Sequence, residues 1–134
     1  MPRPLSASRL DRYFARLGYD GPRDATLGTL RGLHRAHLLA IPYENLDIHL
    51  GLPLTLEPEA MFTKLVDERR GGWCFEMNGV LGQVLETLGF SVRYLSGAVG
   101  RADYPTAFGP HPTTVPSALT TRVKASAATL RVSS

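Results

Sequence analysis

One stretch of this chain has the residue types of a reactive centre: Arg70-Gly71-Gly72-Trp73-Cys74-Phe75-Glu76-Met77-Asn78. Cys74 is the sole cysteine. It forms no internal disulfide and supplies no multi-cysteine metal site. It is either a small buried hydrophobe or a reactive thiol. After it, Met77, Val80, Leu81, Val84, Leu85 and Leu88 recur at helical spacing and stop at Gly89. That stripe predicts a helix starting near Trp73 or Cys74. A cysteine in a first helical turn feels the positive end of the helix dipole, which favours the thiolate, the nucleophilic form. Arg69 and Arg70 act in the same direction. The first-turn N–H groups lack intrahelical partners and are available to an oxyanion as a thioester forms or breaks. Gly71 and Gly72 are expected to give the backbone conformations closed to other residues and to leave those N–H groups approachable. The chemistry indicated is nucleophilic catalysis through sulfur.

Other elements must hold that turn in place. Ser8 is expected to cap a first helix, with Asp11 as its capping-box partner. Leu10, Tyr13, Phe14 and Leu17 form the stripe of that helix, and Gly18 is its stop. Thr26 is expected to cap a second helix with the stripe Leu27, Leu30, Leu33, His37 and Leu38, ended by Pro42. Ile41 to Ile48 reads as a loop leading into a short extended piece, closed by Gly51 and Pro53. Thr55 is expected to open a third helix, with Glu57 and Glu59 near its positive end and Met61, Phe62, Leu65 and Val66 buried. A polar turn over 67–72 precedes the cysteine helix. Phe90 to Val99 reads as a strand, on Val92, Tyr94 and Val99. The fold class is α+β: a helical bundle over 1–89, then the start of a β region.

Composition narrows the function classes. Of 134 residues, 43% are hydrophobic and 20% charged, enough for a packed core. No apolar run is long enough to span a bilayer, and the first residues lack a secretion signal's apolar segment. A cytoplasmic location without membrane association is therefore expected. The net charge of +3 is not a nucleic-acid signature. Its excess lies in Arg122, Lys124 and Arg131, all beyond Asp103, the last acidic residue, and no basic helix face carries interleaved aromatics. His34, His37 and His49 show no metal-ligand company.

A lone cysteine beside a helix is more often structural than catalytic. Here two further strings accompany it: Ile41-Pro42-Tyr43-Glu44-Asn45-Leu46-Asp47 upstream and Leu88-Gly89-Phe90 downstream. Together, in this order and spacing, the three strings resemble the arylamine N-acetyltransferase family over roughly residues 8 to 105. The resemblance implies an N-terminal helical bundle followed by a β-barrel domain and a lid. It implies ping-pong acetyl transfer, in which a cysteine takes acetyl from acetyl-CoA as a thioester. Acetyl then passes to an arylamine, hydrazine or N-hydroxyarylamine. On that basis Cys74 is the catalytic nucleophile. Arg70 and Glu44 form a supporting ion pair, and Phe75 and Val99 line the acceptor pocket. No bound cofactor is implied, since acetyl-CoA enters as a substrate. The partners implied are acetyl-CoA and an aromatic amine.

The later part of the chain departs from that family. The resemblance implies a Cys-His-Asp triad, with the histidine at about Thr113 or Thr114, yet both positions are threonine. His111 is the only histidine after Cys74, and its place between Pro110 and Pro112 suits a turn. Residues 90–112 are expected to be a fragment of the barrel domain, with most of the barrel and lid missing. Residues 113–134 are expected to be an atypical, disordered tail from a truncated or frameshifted reading. The expected activity is acetyl transfer in impaired form. The alternatives are a catalytically inactive remnant, a helical interaction module, or another Cys-His-Asp enzyme, against which the Pro-Tyr-Glu-Asn string argues.

Overall fold

The computed structural model describes residues 4–97 and 118–124. The first helix, α1 (Ala7–Leu17), starts from Ser6, whose hydroxyl accepts the Arg9 N–H at 3.4 Å. Ser8, the expected cap, lies inside the helix. Ser6 wins because it is the residue that is still extended (φ −66°, ψ 157°) with a helical residue three places on. Gly18, at φ 62°, closes α1 in the left-handed conformation. The second helix, α2 (Leu27–Ala40), is capped by Thr26, as its sequence predicts. Its buried face is the i, i+4 row Thr29, Leu33 and His37. Leu27 and Leu38, expected in the stripe, are 53% and 58% exposed. Residue type had outweighed spacing there.

The segment after Pro42 departs from the expected extended piece. It makes one helical turn, α3 (Leu46–His49), with Asn45 O accepting from Ile48 N and His49 N. The next helix, α4 (Pro58–Phe62), begins at Pro58, not at Thr55. Proline suits the first helical position because it has no N–H to leave unpaired. Thr55 instead accepts the Glu57 N–H at 3.2 Å. From α4 the chain widens into a π-helical turn, Thr63–Asp67, which no sequence signal marked. Arg69 then takes a positive φ of 55° and turns the chain toward the glycine pair. The last helix, α5 (Cys74–Thr87), runs to Gly89, at φ 94°.

The core forms where α1, α2, the α4–π segment and α5 meet. Tyr13, Leu33, Phe62, Leu65, Val80, Val84 and Leu85 have no exposed surface there. Burying each large aliphatic side chain contributes roughly 1.5–3 kcal/mol. After α5 the chain forms β1 (Ser91–Gly97), which pairs antiparallel with β2 (Ala118–Lys124). Ser91 faces Lys124 at one end of the ladder and Gly97 faces Ala118 at the other. A Cβ at Gly82 would overlap the Tyr94 hydroxyl, so glycine lets β1 approach α5 closely. Within 113–134, expected to be an atypical, disordered tail, residues 118–124 form the strand β2. Its run Thr120-Thr121-Arg122-Val123 is β-branched enough to extend when a partner strand is present. Among the described residues, no helix is long and apolar enough to cross a membrane.

Candidate active site

Cys74 is the first residue of α5 and is partly exposed. Trp73 precedes it in extended conformation (φ −91°, ψ 176°). An indole has no acceptor for an orphan N–H, so half of a capping box is made. The Trp73 N–H donates to Glu76 Oε2 at 3.1 Å. The Asn78 amide donates to the Cys74 carbonyl at 2.9 Å. The Phe75 ring lies against Trp73, centroids 4.8 Å apart.

Glu76 also begins a chain of charges. Lys64 Nζ lies 2.9 and 3.0 Å from its two carboxylate oxygens and 2.7 Å from Asp47 Oδ2. Asp47 Oδ1 lies 2.6 Å from Arg70 NH2, which reaches Glu44 Oε1 at 3.4 Å. Glu44 Oε2 accepts the Leu46 N–H at 2.7 Å, fixing the start of α3. Lys64, Asp47 and Glu76 are nearly buried. Burial alone would lower the Lys64 pKa, but Asp47 and Glu76 outweigh it and raise it. Lys64 and then Arg70 hold Asp47 below the usual carboxylate range, and Asp47 raises Arg70. Lys64, Asp47 and Arg70 are thus each favoured in their charged forms by their neighbours, the condition for an ionic cluster to tolerate loss of water.

The glycine pair locks this cluster to the loop. Glu44 N donates to Gly72 O at 3.0 Å, and Gly72 N donates to Pro42 O at 3.2 Å. These bonds form a parallel bridge between Tyr43 and Gly72. A Cβ at Gly71 would overlap the Pro42 carbonyl, and one at Gly72 would sit 2.6 Å from Glu76 Oε2. Neither glycine has a positive φ. Close approach, and not the expected unusual backbone conformation, requires glycine here. From the other side, Arg16 of α1 donates to the carbonyls of Leu65 at 3.0 Å, Ala40 at 2.8 Å and Arg69 at 3.4 Å. One guanidinium thus joins the end of α2 to both ends of the turn before Arg70.

With the geometry established, known proteins give it a context. A family model described as N-acetyltransferase matches residues 26–114. The chain belongs to the arylamine N-acetyltransferase family. It is 54% identical over 94 residues to an arylamine N-acetyltransferase of Mycolicibacterium smegmatis, covering 69% of this chain and 34% of that one. The Escherichia coli K12 enzyme is 46% identical over 96 residues, covering 72% and 34%. The solved Mycobacterium marinum arylamine N-acetyltransferase superposes with a TM-score of 0.78 at 44% identity, covering 86% of this chain and 41% of that one. Its complex with CoA gives a TM-score of 0.73 at 42% identity, covering 86% and 41%. The chain therefore spans about a third of the length of the curated arylamine N-acetyltransferases it matches.

Of the expected site residues, the structure pairs Arg70 with Glu44 at 3.4 Å and places Cys74 and Phe75 at the start of α5, four and five residues after Arg70. Val99 lies outside the described residues, as do His111, Thr113 and Thr114. Asp47, Lys64, Glu76 and Arg16 were not singled out from sequence. Arg16 lies far from the motif in sequence, and Lys64, six residues before Arg70, carries no signal of its own. Glu76 stands in the motif at the third helical position, where an acidic residue signals a capping box.

Proposed function

We propose that Cys74 is the acetyl-accepting nucleophile of an arylamine N-acetyltransferase and that acetyl-CoA is the donor. The observation that carries this reading is the partly exposed thiol at the first position of α5, beside the braced loop, in a chain of this family. The relative solved with CoA supports the choice of donor. The Cys74 thiolate attacks the acetyl carbonyl and forms a new C–S bond. The bond to the CoA sulfur then breaks, and CoA leaves as a thiolate that takes a proton from water. Orphan N–H groups of the first α5 turn receive the oxyanion. Arg70 and Glu44 brace the loop before the cysteine helix, and Phe75 lines the acceptor side; Val99, the other residue expected there, lies outside the described residues. The acceptor class is an arylamine, hydrazine or N-hydroxyarylamine. A lone free thiol suits a reducing compartment such as the cytoplasm. With threonine at 113 and 114, transfer in this chain is impaired, because no imidazole follows at the family's position to assist it.

A second reading, a non-catalytic helical interaction module, is favoured by a run of exposed apolar residues. Leu46, Ile48, Leu50, Leu52, Leu54 and Leu56 are between 41% and 70% exposed. Incubation with acetyl-CoA, followed by intact mass and peptide mapping, separates the two. One acetyl on the Cys74 peptide, labile to hydroxylamine and absent in Cys74→Ala, supports the enzyme. A folded chain that accepts none supports the module.

A further inference from the structure

Lys64 is an unexpected residue to find nearly buried, because a lysine ammonium normally stays in water. Its side chain is only 12% exposed, and in the chain it stands between the buried residues Phe62 and Leu65. It lies in the π-helical turn Thr63–Asp67, and single turns of this kind are frequent at functional sites. Its carbonyl accepts the Arg70 N–H at 3.0 Å. Its ammonium reaches Asp47 Oδ2 at 2.7 Å and the two Glu76 oxygens at 2.9 and 3.0 Å. Glu76 Oε2 in turn accepts the N–H of Trp73, the residue before Cys74, at 3.1 Å. That oxygen has little room to move, since it lies 2.6 Å from where a Cβ on Gly72 would stand.

We propose that Lys64 is a positioning residue for Cys74: it holds the Glu76 carboxylate on the Trp73 N–H and so sets the first turn of α5 in one place. The inference rests on the reading of Cys74 as the acetyl acceptor. Stability alone does not account for the arrangement, because apolar residues of similar volume commonly replace a buried ion pair at no cost. Charge-assisted hydrogen bonds instead fix angle and distance. Trp73 has no side-chain acceptor with which to anchor the turn itself, so the anchor is the Glu76 carboxylate. As the thiolate attacks, charge gathers on the acetyl oxygen, and the first-turn N–H groups receive it only if they are already in place. Lys64 touches no reacting atom and gives up no proton.

The test compares two reactions of Cys74 in the full chain: labelling by acetyl-CoA and alkylation by iodoacetamide. Alkylation displaces iodide at a saturated carbon and builds no oxyanion, so the ratio of the two rates reads the N–H groups and not the thiol. In Lys64→Met the ratio should fall about fivefold, a fraction of what losing an oxyanion donor costs. Lys64→Arg should restore it. Glu76→Ala should lower the ratio as far, since Lys64 acts through that carboxylate, and it carries the test if Lys64→Met does not fold. In hydrogen–deuterium exchange the Trp73 amide should exchange about tenfold faster in either variant, the value of one hydrogen bond to a charged group. An unchanged ratio in a folded variant, or equal protection of the Trp73 amide, would overturn the proposal. A wild-type chain that takes no acetyl tells against the acetyl-transfer reading, and the Trp73 amide then decides the role of Lys64 by itself.

Discussion

The first turn of α5 and the interior beneath it are held by different forces. Val80, Val84 and Leu85 sit in an apolar core with no exposed surface. The turn bearing Cys74 rests on Glu76, Lys64, Asp47 and Arg70. Apolar packing is non-directional and tolerates small shifts. Charge-assisted hydrogen bonds set angle and distance. The core therefore supplies most of the stability, and the cluster fixes the start of the helix that carries Cys74.

Three perturbations sharpen that contrast. Leu85→Ala should have the largest effect, a loss of about 2–5 kcal/mol in urea unfolding. While the variant stays folded, Cys74 should alkylate at the wild-type rate. Next is acid. His37 lies with its Nδ1 2.8 Å from the Tyr13 hydroxyl. Burial first, then His34 and Arg16, push its pKa down to about 4. Folded protein thus binds fewer protons than unfolded chain between about 6.5 and 4. Stability from this group is complete above that window and is lost as pH falls through it, by on the order of 3 kcal/mol. His37→Gln should flatten that slope in urea titrations at several pH values. Asp47 is also depressed, so its contribution survives this window and is lost only below the ordinary carboxylate range. The two regions should fail at separate pH values. The smallest effect on stability belongs to Lys64→Met, about 1–3 kcal/mol for leaving Glu76 without its cation while Asp47 keeps Arg70. Lys64→Arg should recover most of it.

Legibility in the sequence followed the range of the interaction. Thr26, Gly18 and the start of α5 were readable because a cap or stop is decided within four residues. Ser6 was missed in favour of Ser8 because both satisfy the local rule. The segment over 41–48 reads as a loop leading into an extended piece because it shows no helical stripe; the single turn of α3 buries none of its residues and so leaves no such stripe. Arg70 and Glu44 came from motif resemblance, and the structure adds that Asp47 lies closer to Arg70. Lys64 and Arg16 were invisible because their partners are long-range. Pairing of β2 with β1 crosses more than twenty residues and was hidden for the same reason.

The most direct test is the rate at which acetyl-CoA labels Cys74, followed by peptide mass in wild type, Leu85→Ala, Lys64→Met and Lys64→Arg, all under conditions where each is folded. The predicted result is labelling at the wild-type rate in Leu85→Ala. Lys64→Met should slow about tenfold, and Lys64→Arg should retain most of the rate. Labelling of folded Lys64→Met at the wild-type rate, or none in any folded chain, would contradict the account.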